Sequence, residues 1–215
     1  MRILTKSFTA ALILCVVAAA QGNGPERNVA KNVLTSEHDP KVQITLPSDV
    51  QYAGADRFVL YHVADCELHA FVEADANKNV KRLYWIQFEG YIRSRPELAH
   101  TYDSPRHTTI SGMDFYVDTW VQANDVNVTP GSDLEHINQI IRAKGFKLPA
   151  GMMSVRLVHL LDESKRQELM IIYSEDVAST GFAAPDLRRD GRAHDHWSEI
   201  ERALIERAQH AISLK

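Results

Sequence analysis

The prediction of the fold starts from one stretch of the chain, Leu83-Tyr84-Trp85-Ile86-Gln87-Phe88-Glu89-Gly90-Tyr91. Side chains of a β-strand alternate between two faces, so Trp85, Gln87 and Glu89 share one face, while the other is aromatic or aliphatic. A strand with large apolar side chains on both faces is typical of the middle of a sheet that is covered on both sides. Gln87 and Glu89 therefore point into partly buried space, where each needs a partner.

The strands predicted around this stretch form two hairpins. The run 80–91 follows a turn sequence, Asn77-Lys78-Asn79, and the run 67–75 before that turn alternates apolar and polar residues. The runs 152–161 and 168–174 flank a charged turn and predict the second hairpin. Further strands are predicted at 42–46, 58–63 and 115–123.

Two helices are predicted. Ser132 and Glu135 match a capping box, in which the serine hydroxyl accepts a hydrogen bond from a free backbone N–H and the glutamate carboxylate accepts one from the start of the helix. Gly145 is predicted to end this first helix. The last helix starts near Asp195 and runs almost to the end of the sequence. Its apolar stripe, which we expect to face the core, consists of Trp197, Ile200, Leu204, Ala208 and Ile212.

These elements predict a single α+β domain over residues 41–215. We expect a curved antiparallel sheet of five or six strands, with one inserted helix and a long C-terminal helix packed on the sheet. Residues 21–40 are polar and without a sustained period, which predicts a flexible tether. Two long segments, 92–113 and 176–194, have no clear period, and segments of this length in a compact domain are usually functional or mobile.

The first twenty residues have the three parts of a secretory signal peptide. Arg2 and Lys6 precede an apolar run at 8–20 that ends in three alanines. This run is too short to span a bilayer comfortably, which takes about 20 residues. We therefore expect residues 1–20 to be a signal peptide cleaved after Ala20, and the protein to be periplasmic or secreted with no membrane span. The alternatives are a lipid-modified Cys15 and a retained anchor.

Composition and charge exclude several classes of protein. The chain has 215 residues, of which 45% are apolar and 24% charged, as in globular proteins rather than disordered ones. Cleavage after Ala20 would remove two of the 24 cations and leave 22 against 28 acidic residues, a net charge of about −6. This balance argues against a nucleic-acid partner. Cys66 would then be the one thiol, so no internal disulfide forms, which favours a bacterial envelope.

The candidate binding residues are Trp85, Gln87, Glu89, Trp120 and Arg156. Arg156 lies in a second run that is apolar on both faces, so it is a candidate partner for Glu89. Two interpretations remain open at this stage. Glu89 and Arg156 form a buried ion pair that fixes the strand register, or they form the polar end of a ligand cavity with the two tryptophans in its walls.

Three functions are consistent with this pattern. The leading prediction is an exported soluble protein that binds a small or amphipathic molecule in a cavity between the sheet and the C-terminal helix. The second is a periplasmic hydrolase that uses Glu89 or His159 as base and Arg156 as an electrostatic clamp. The third is a cell-envelope interaction protein that uses the long segments and an arginine cluster at Arg188, Arg189 and Arg192.

No metal site and no cofactor are expected from the sequence. His62, Cys66 and His69 have short metal-ligand spacings, but a structural zinc site usually needs four ligands. On a strand, Cys66 and His69 also point to opposite faces. We therefore interpret Cys66 as a buried structural thiol. No sequence motif of a serine hydrolase, nucleotide-binding protein or zinc protease occurs, which removes most of the support for those classes.

Overall fold

The computed structural model describes residues 24–124 and 127–215, so the predicted signal peptide lies outside the described residues. Within these residues the strands are β1 Asn28–Ala30, β2 Val33–Ser36, β3 Val42–Thr45, β4 Gln51–Leu60, β5 Ala64–Ala74, β6 Val80–Tyr91, β7 Arg106–Ile110, β8 Met113–Ala123, β9 Gly151–Leu160, β10 Gln167–Asp176 and β11 Ser213–Leu214. The helices are α1 Asp133–Ala143, α2 Ala184–Leu187 and α3 Trp197–Ala211, with short 3₁₀ turns at Val177–Thr180 and His194–His196.

Seven strands form an open antiparallel sheet, the large sheet, in the order β4-β5-β6-β10-β9-β8-β7. Both predicted hairpins, β5–β6 and β9–β10, are confirmed, and β6 has a paired strand on each side. The predicted number of five or six strands is wrong. The sequence analysis missed β7, which is a short edge strand of mostly polar residues inside the 92–113 segment.

Four short strands form a second sheet, the small sheet, in the order β1-β2-β3-β11. β1 and β2 lie within residues 21–40, so the part of this segment that the structure describes is folded rather than a flexible tether. It is also attached to the large sheet, because the Arg27 guanidinium lies 2.9 Å from the Glu67 carboxylate on β5. Strands of three or four residues are too short to give a clear period, which explains the wrong prediction.

One face of the large sheet packs against α3 and the small sheet, as the apolar stripe of the last helix predicts. Leu204 and Ala208 of α3 are fully buried in a core that also contains Leu34 and Ile44 from the small sheet. Tyr84, Ile86 and Phe88 of β6 belong to this core. The packing of a C-terminal helix on the sheet is therefore confirmed.

The opposite face of the large sheet packs against α1. The predicted cap of this helix is present, since the Ser132 hydroxyl accepts the Glu135 N–H at 3.3 Å, while the Glu135 carboxylate reaches back to the Gly131 N–H at 2.6 Å. The helix lies close to β4, where a side chain at Gly54 would place its Cβ 3.2 Å from Ile140. The α1 face holds the odd-numbered side chains of β6 and the even-numbered ones of β10.

No helix of the described residues is long and apolar enough to cross a membrane.

The two segments without a clear period, 92–113 and 176–194, differ in how much regular structure they contain. Residues 92–105 run without regular secondary structure from β6 to β7, and the 176–194 segment contains the first 3₁₀ turn and α2.

Candidate functional site

All five predicted site residues lie on the α1 face of the large sheet. Strand register places Trp85 opposite Ile172 of β10, which is in turn opposite Arg156 of β9. Gln87 and Glu89 follow Trp85 along the same face of β6, and Trp120 of β8 is opposite Ser154. The sequence prediction that these residues share one surface is consistent with this geometry.

The predicted lining of the cavity is wrong, because none of the five residues lies under the C-terminal helix. The C-terminal helix contacts the other face of the sheet, so Trp85 and its neighbours lie under α1 instead of α3. Both faces of β6 carry large apolar side chains, and the sequence pattern therefore cannot tell which helix covers which face.

Trp85 and Trp120 do line one cavity together, beside Ser154 and Ser174. Its volume is about 60 Å³. Sites for drug-sized molecules have about 300–1,000 Å³, whereas a water molecule takes about 30 Å³ in the liquid. The space between the two tryptophans is therefore on the scale of a few water molecules, too small for an amphipathic ligand.

Glu89 and Arg156 do not form an ion pair, so that interpretation is wrong. Arg156 pairs with Asp118, its neighbour on β8, through an Nη2–Oδ2 distance of 2.7 Å. Its guanidinium also lies 5.1 Å from the centre of the Tyr102 ring. Glu89 instead accepts a hydrogen bond from the Gln87 side chain at 2.9 Å, and Gln87 accepts the Trp85 indole N–H at 3.0 Å.

The partner of Glu89 across the sheet is a second acid, Glu168. The two residues are directly opposite each other on β6 and β10. One carboxylate oxygen from each and one ring nitrogen of His100 lie within 4.8 Å of one another. Glu89, His100 and Glu168 are called the acidic cluster below.

His100 is held rigidly although it lies in an irregular segment. Its ring stacks on Tyr91 with 4.4 Å between the ring centres, and its Nδ1 lies 3.1 Å from Oε2 of Glu168. The residue is 6% exposed, and its Nε2 has no hydrogen-bond partner among the described residues. Burial lowers the pKa of His100 to about 4, so the imidazole is neutral at neutral pH.

The two carboxyl groups are difficult to ionise together. Glu168 is 3% exposed, and burial, together with the charge of Glu89, raises the pKa of Glu168 to about 7. Burial also raises the pKa of Glu89 above its ordinary value. A hydrogen bond from the Tyr102 hydroxyl to Glu168, 2.7 Å long, partly offsets the cost of charging that group.

A single arginine anchors the segment that brings His100 and Tyr102 to the sheet. The guanidinium of Arg166, at the start of β10, donates to four backbone carbonyl oxygens, those of Tyr91, Ile92, Arg95 and Leu98. The His100 N–H also donates to the Lys165 carbonyl at 2.7 Å. These contacts fix the residues 92–105 over the ends of β6 and β10.

Sequence reasoning missed three of these residues. His100 and Tyr102 lie in a segment without a period, so the sequence carries no signal for their direction. The sequence does carry a signal for Glu168, because this acid directly precedes the apolar run 169–173 of β10.

Cys66 neighbours the acidic cluster, since it is opposite Glu89 on β5. It is a free, fully buried cysteine, and burial, followed by the charge of Glu89, raises the pKa of its thiol. His69 lies on the other face of β5, where Nε2 is 2.8 Å from the Glu67 carboxylate, and His62 lies in the β4–β5 turn. The three residues with metal-ligand spacing are therefore not brought together.

The other candidates of the sequence analysis are also separated from the cluster. His159 lies on the α3 face of β9, where Nδ1 is 2.9 Å from the Asp114 carbonyl, so it cannot act together with Arg156 on the α1 face. In the arginine-rich segment, Arg192 pairs with Asp186 at 2.7 Å.

An open cleft of about 420 Å³ lies at the end of the sheet that carries the acidic cluster. Glu89 and Glu168 line it together with charged residues of both signs, among them Arg57, Arg93 and Glu67. Its lining also contains Phe88 and Arg27, which belong to the α3 face, so the cleft lies around the ends of β6 and β10 and not over the two acids alone.

Comparison with protein-family models, with curated proteins and with solved structures gives no match for this chain.

Proposed function

We propose that this is an exported protein that binds a small cationic ligand at the acidic cluster. The location is the α1 face of the large sheet at the ends of β6 and β10, instead of a cavity under the C-terminal helix. The export to the periplasm or the exterior remains a prediction from residues 1–20.

The observation that carries the proposal is the placement of Glu89 directly opposite Glu168 without a basic partner. Within the described residues, no lysine or arginine nitrogen lies within 4.0 Å of either carboxylate, and the one ring nitrogen that does belongs to His100. Burying one carboxylate without a counter-charge is costly, and a second, half-buried carboxylate beside it adds to that cost. A bound cation would supply the missing positive charge.

The charges that line the cleft, rather than its size, support a small polar ligand. The cavity between Trp85 and Trp120 has about 60 Å³ and lies apart from the two acids, while the cleft of about 420 Å³ has both acids in its lining. The mixed charges of that cleft favour a polar ion over an amphipathic molecule.

The test is a thermal unfolding series with Zn²⁺, Mn²⁺, Ca²⁺ and butylammonium as four separate probes. A ligand at 100 times its Kd stabilises the folded protein by about 2.7 kcal/mol. We expect at least one probe to raise the Tm of the wild type and of Glu163→Gln, an exposed control. The same probe should not raise the Tm of Glu89→Gln, since glutamine keeps the contact with Gln87 but lacks the negative charge that attracts the cation. Four probes without effect on the wild type would reject the proposal.

A second function is favoured by one specific observation, the raised pKa values of both acids. A carboxyl pair that holds one proton near neutral pH can act as general acid and general base, so a hydrolase is the alternative. Its test is hydrolysis of chromogenic ester, phosphate and glycoside substrates. Activity that both Glu89→Gln and Glu168→Gln abolish, without added cation, would support the hydrolase over the binding protein.

A further inference from the structure

We infer that the cation of the acidic cluster is a divalent transition metal ion such as Zn²⁺, held by Glu89, His100 and Glu168. This inference rests on the proposed function and specifies the chemical class of its ligand. It revises the expectation from the sequence that the protein has no metal site, since no spacing along the chain links these three residues.

The distances within the cluster match the scale of one ion. The three donor atoms lie within 4.8 Å of one another. Oxygen and nitrogen ligands bind zinc at about 2.0–2.2 Å, so two ligands of one ion are separated by about 3–4 Å. Small adjustments of the side chains are enough to close the set around an ion.

A second observation, independent of the two acids, also points to a ligand. His100 is 6% exposed, yet its Nε2 has no partner among the described residues. A buried polar atom without a hydrogen bond costs about 1–3 kcal/mol, and structures seldom keep one without a reason. Nδ1 of the ring faces Glu168, and Nε2 of the same buried ring is left for a further partner.

The donor set selects the class of cation. Ca²⁺ and Mg²⁺ prefer oxygen ligands, whereas imidazole suits zinc, iron, copper and nickel. Two carboxylates and one divalent ion also sum to zero charge, which is the least costly state for a buried site.

Neighbouring residues form hydrogen bonds to the two carboxylates, as outer residues of metal sites do to orient the ligands. Gln87 donates to Glu89 at 2.9 Å, and Tyr102 donates to Glu168 at 2.7 Å, so each carboxylate is fixed by one outer contact. Cys66 is close along the sheet but its sulfur does not belong to the group of atoms within 4.8 Å, so we assign it no ligand role. Three protein ligands leave at least one coordination position for water or a substrate.

The experiment is calorimetric titration of the purified full chain with Zn²⁺, Ca²⁺ and butylammonium, followed by the absorption spectrum with Co²⁺. The test variants are His100→Phe, which keeps a ring to stack on Tyr91, and Glu89→Gln. The matched control is His159→Phe, whose histidine also packs on an aromatic ring, that of Phe115, but on the other face of the sheet. Circular dichroism establishes which variants fold.

We expect one Zn²⁺ per chain, with binding weakened more than about 100-fold in His100→Phe and in Glu89→Gln, since loss of an outer contact alone costs about 10–100-fold. His159→Phe should bind as the wild type does. The Co²⁺ spectrum should show ligand-field bands without thiolate charge transfer, and strong thiolate bands would overturn the assigned ligand set. If His100→Phe does not fold, Glu89→Gln and the Co²⁺ spectrum still decide.

The same titrations distinguish a wrong metal assignment from a wrong cation site. Ca²⁺ or butylammonium that binds as tightly as Zn²⁺, with no loss in His100→Phe, would overturn the metal while leaving a cation-binding site. Absence of any bound cation would reject both.

Discussion

Replacement of Glu168 by glutamine should alter the pH dependence of stability in a defined direction. Burial raises the pKa of Glu168 from 4.5 to about 7 in the folded protein. Between these values the folded protein holds a proton that the unfolded chain has released. Its contribution to stability is therefore full below pH 4.5 and is lost as the pH rises to about 7. Glutamine imitates the protonated carboxyl and should not show this loss.

The magnitude follows from the width of the pH interval. Each pH unit between 4.5 and about 7 costs about 1.4 kcal/mol of unfolding free energy, or about 3 kcal/mol in total. His100 acts in the opposite direction, because burial lowers its pKa from 6.5 to about 4 and its contribution is lost as the pH falls. Because Nδ1 of His100 lies 3.1 Å from Glu168, the two titrations are coupled, and the same comparison in a His100→Phe background isolates the part that belongs to Glu168.

The assay is urea unfolding between pH 4.5 and 8 with a metal chelator present. Relative to the wild type, Glu168→Gln should gain about 3 kcal/mol over this range. Glu163→Gln, which removes an exposed acid in the β9–β10 turn, should show a constant difference. A constant difference for Glu168→Gln as well would show that this carboxylate is already charged and solvated at neutral pH, and would refute the reasoning from burial.

Three further outcomes test the packing around the site. Leu204→Ala should lower the unfolding free energy by about 2–5 kcal/mol in urea, because this α3 residue is fully buried; a near-neutral effect would contradict the packing of α3. Arg166→Met should lower the unfolding free energy by about 1–3 kcal/mol, since four backbone carbonyls lose their donor. It should also speed amide hydrogen exchange selectively in residues 92–105, and an increase spread evenly over the protein would argue against this anchor. The Cys66 thiol, whose pKa burial raises, should react with a thiol reagent at the rate of unfolding, and rapid labelling of the native protein would disprove its burial.

The parts of the fold that the sequence predicted are those in which many residues repeat one pattern. β6, β9 and β10 have ten or more residues each, and α1 has both a cap and an apolar stripe. β1 and β7 have three and five residues, so their alternation is too brief to detect.

The candidate site was predicted in part for a related reason. Alternation identified Glu89 as a buried acid that needs a partner, but it does not determine strand order. β10 lies between β6 and β9, so Glu168 faces Glu89, while Arg156 is two strands away and pairs with Asp118. His100 reaches the cluster through the tertiary contacts of Arg166, which no local pattern encodes.

The pairing of β11 with β3 in the small sheet sets an order of events during synthesis. β1, β2 and β3 leave the ribosome early and pair with one another, but the other edge of β3 pairs with β11, separated from it by most of the chain. Until residues 213–214 are made, that edge presents unpaired N–H and C=O groups, which are a template for other nascent chains. Contacts between such distant segments also form slowly. An unfinished chain therefore leaves this edge of the small sheet unpaired, although β3 offers only four residues to another strand.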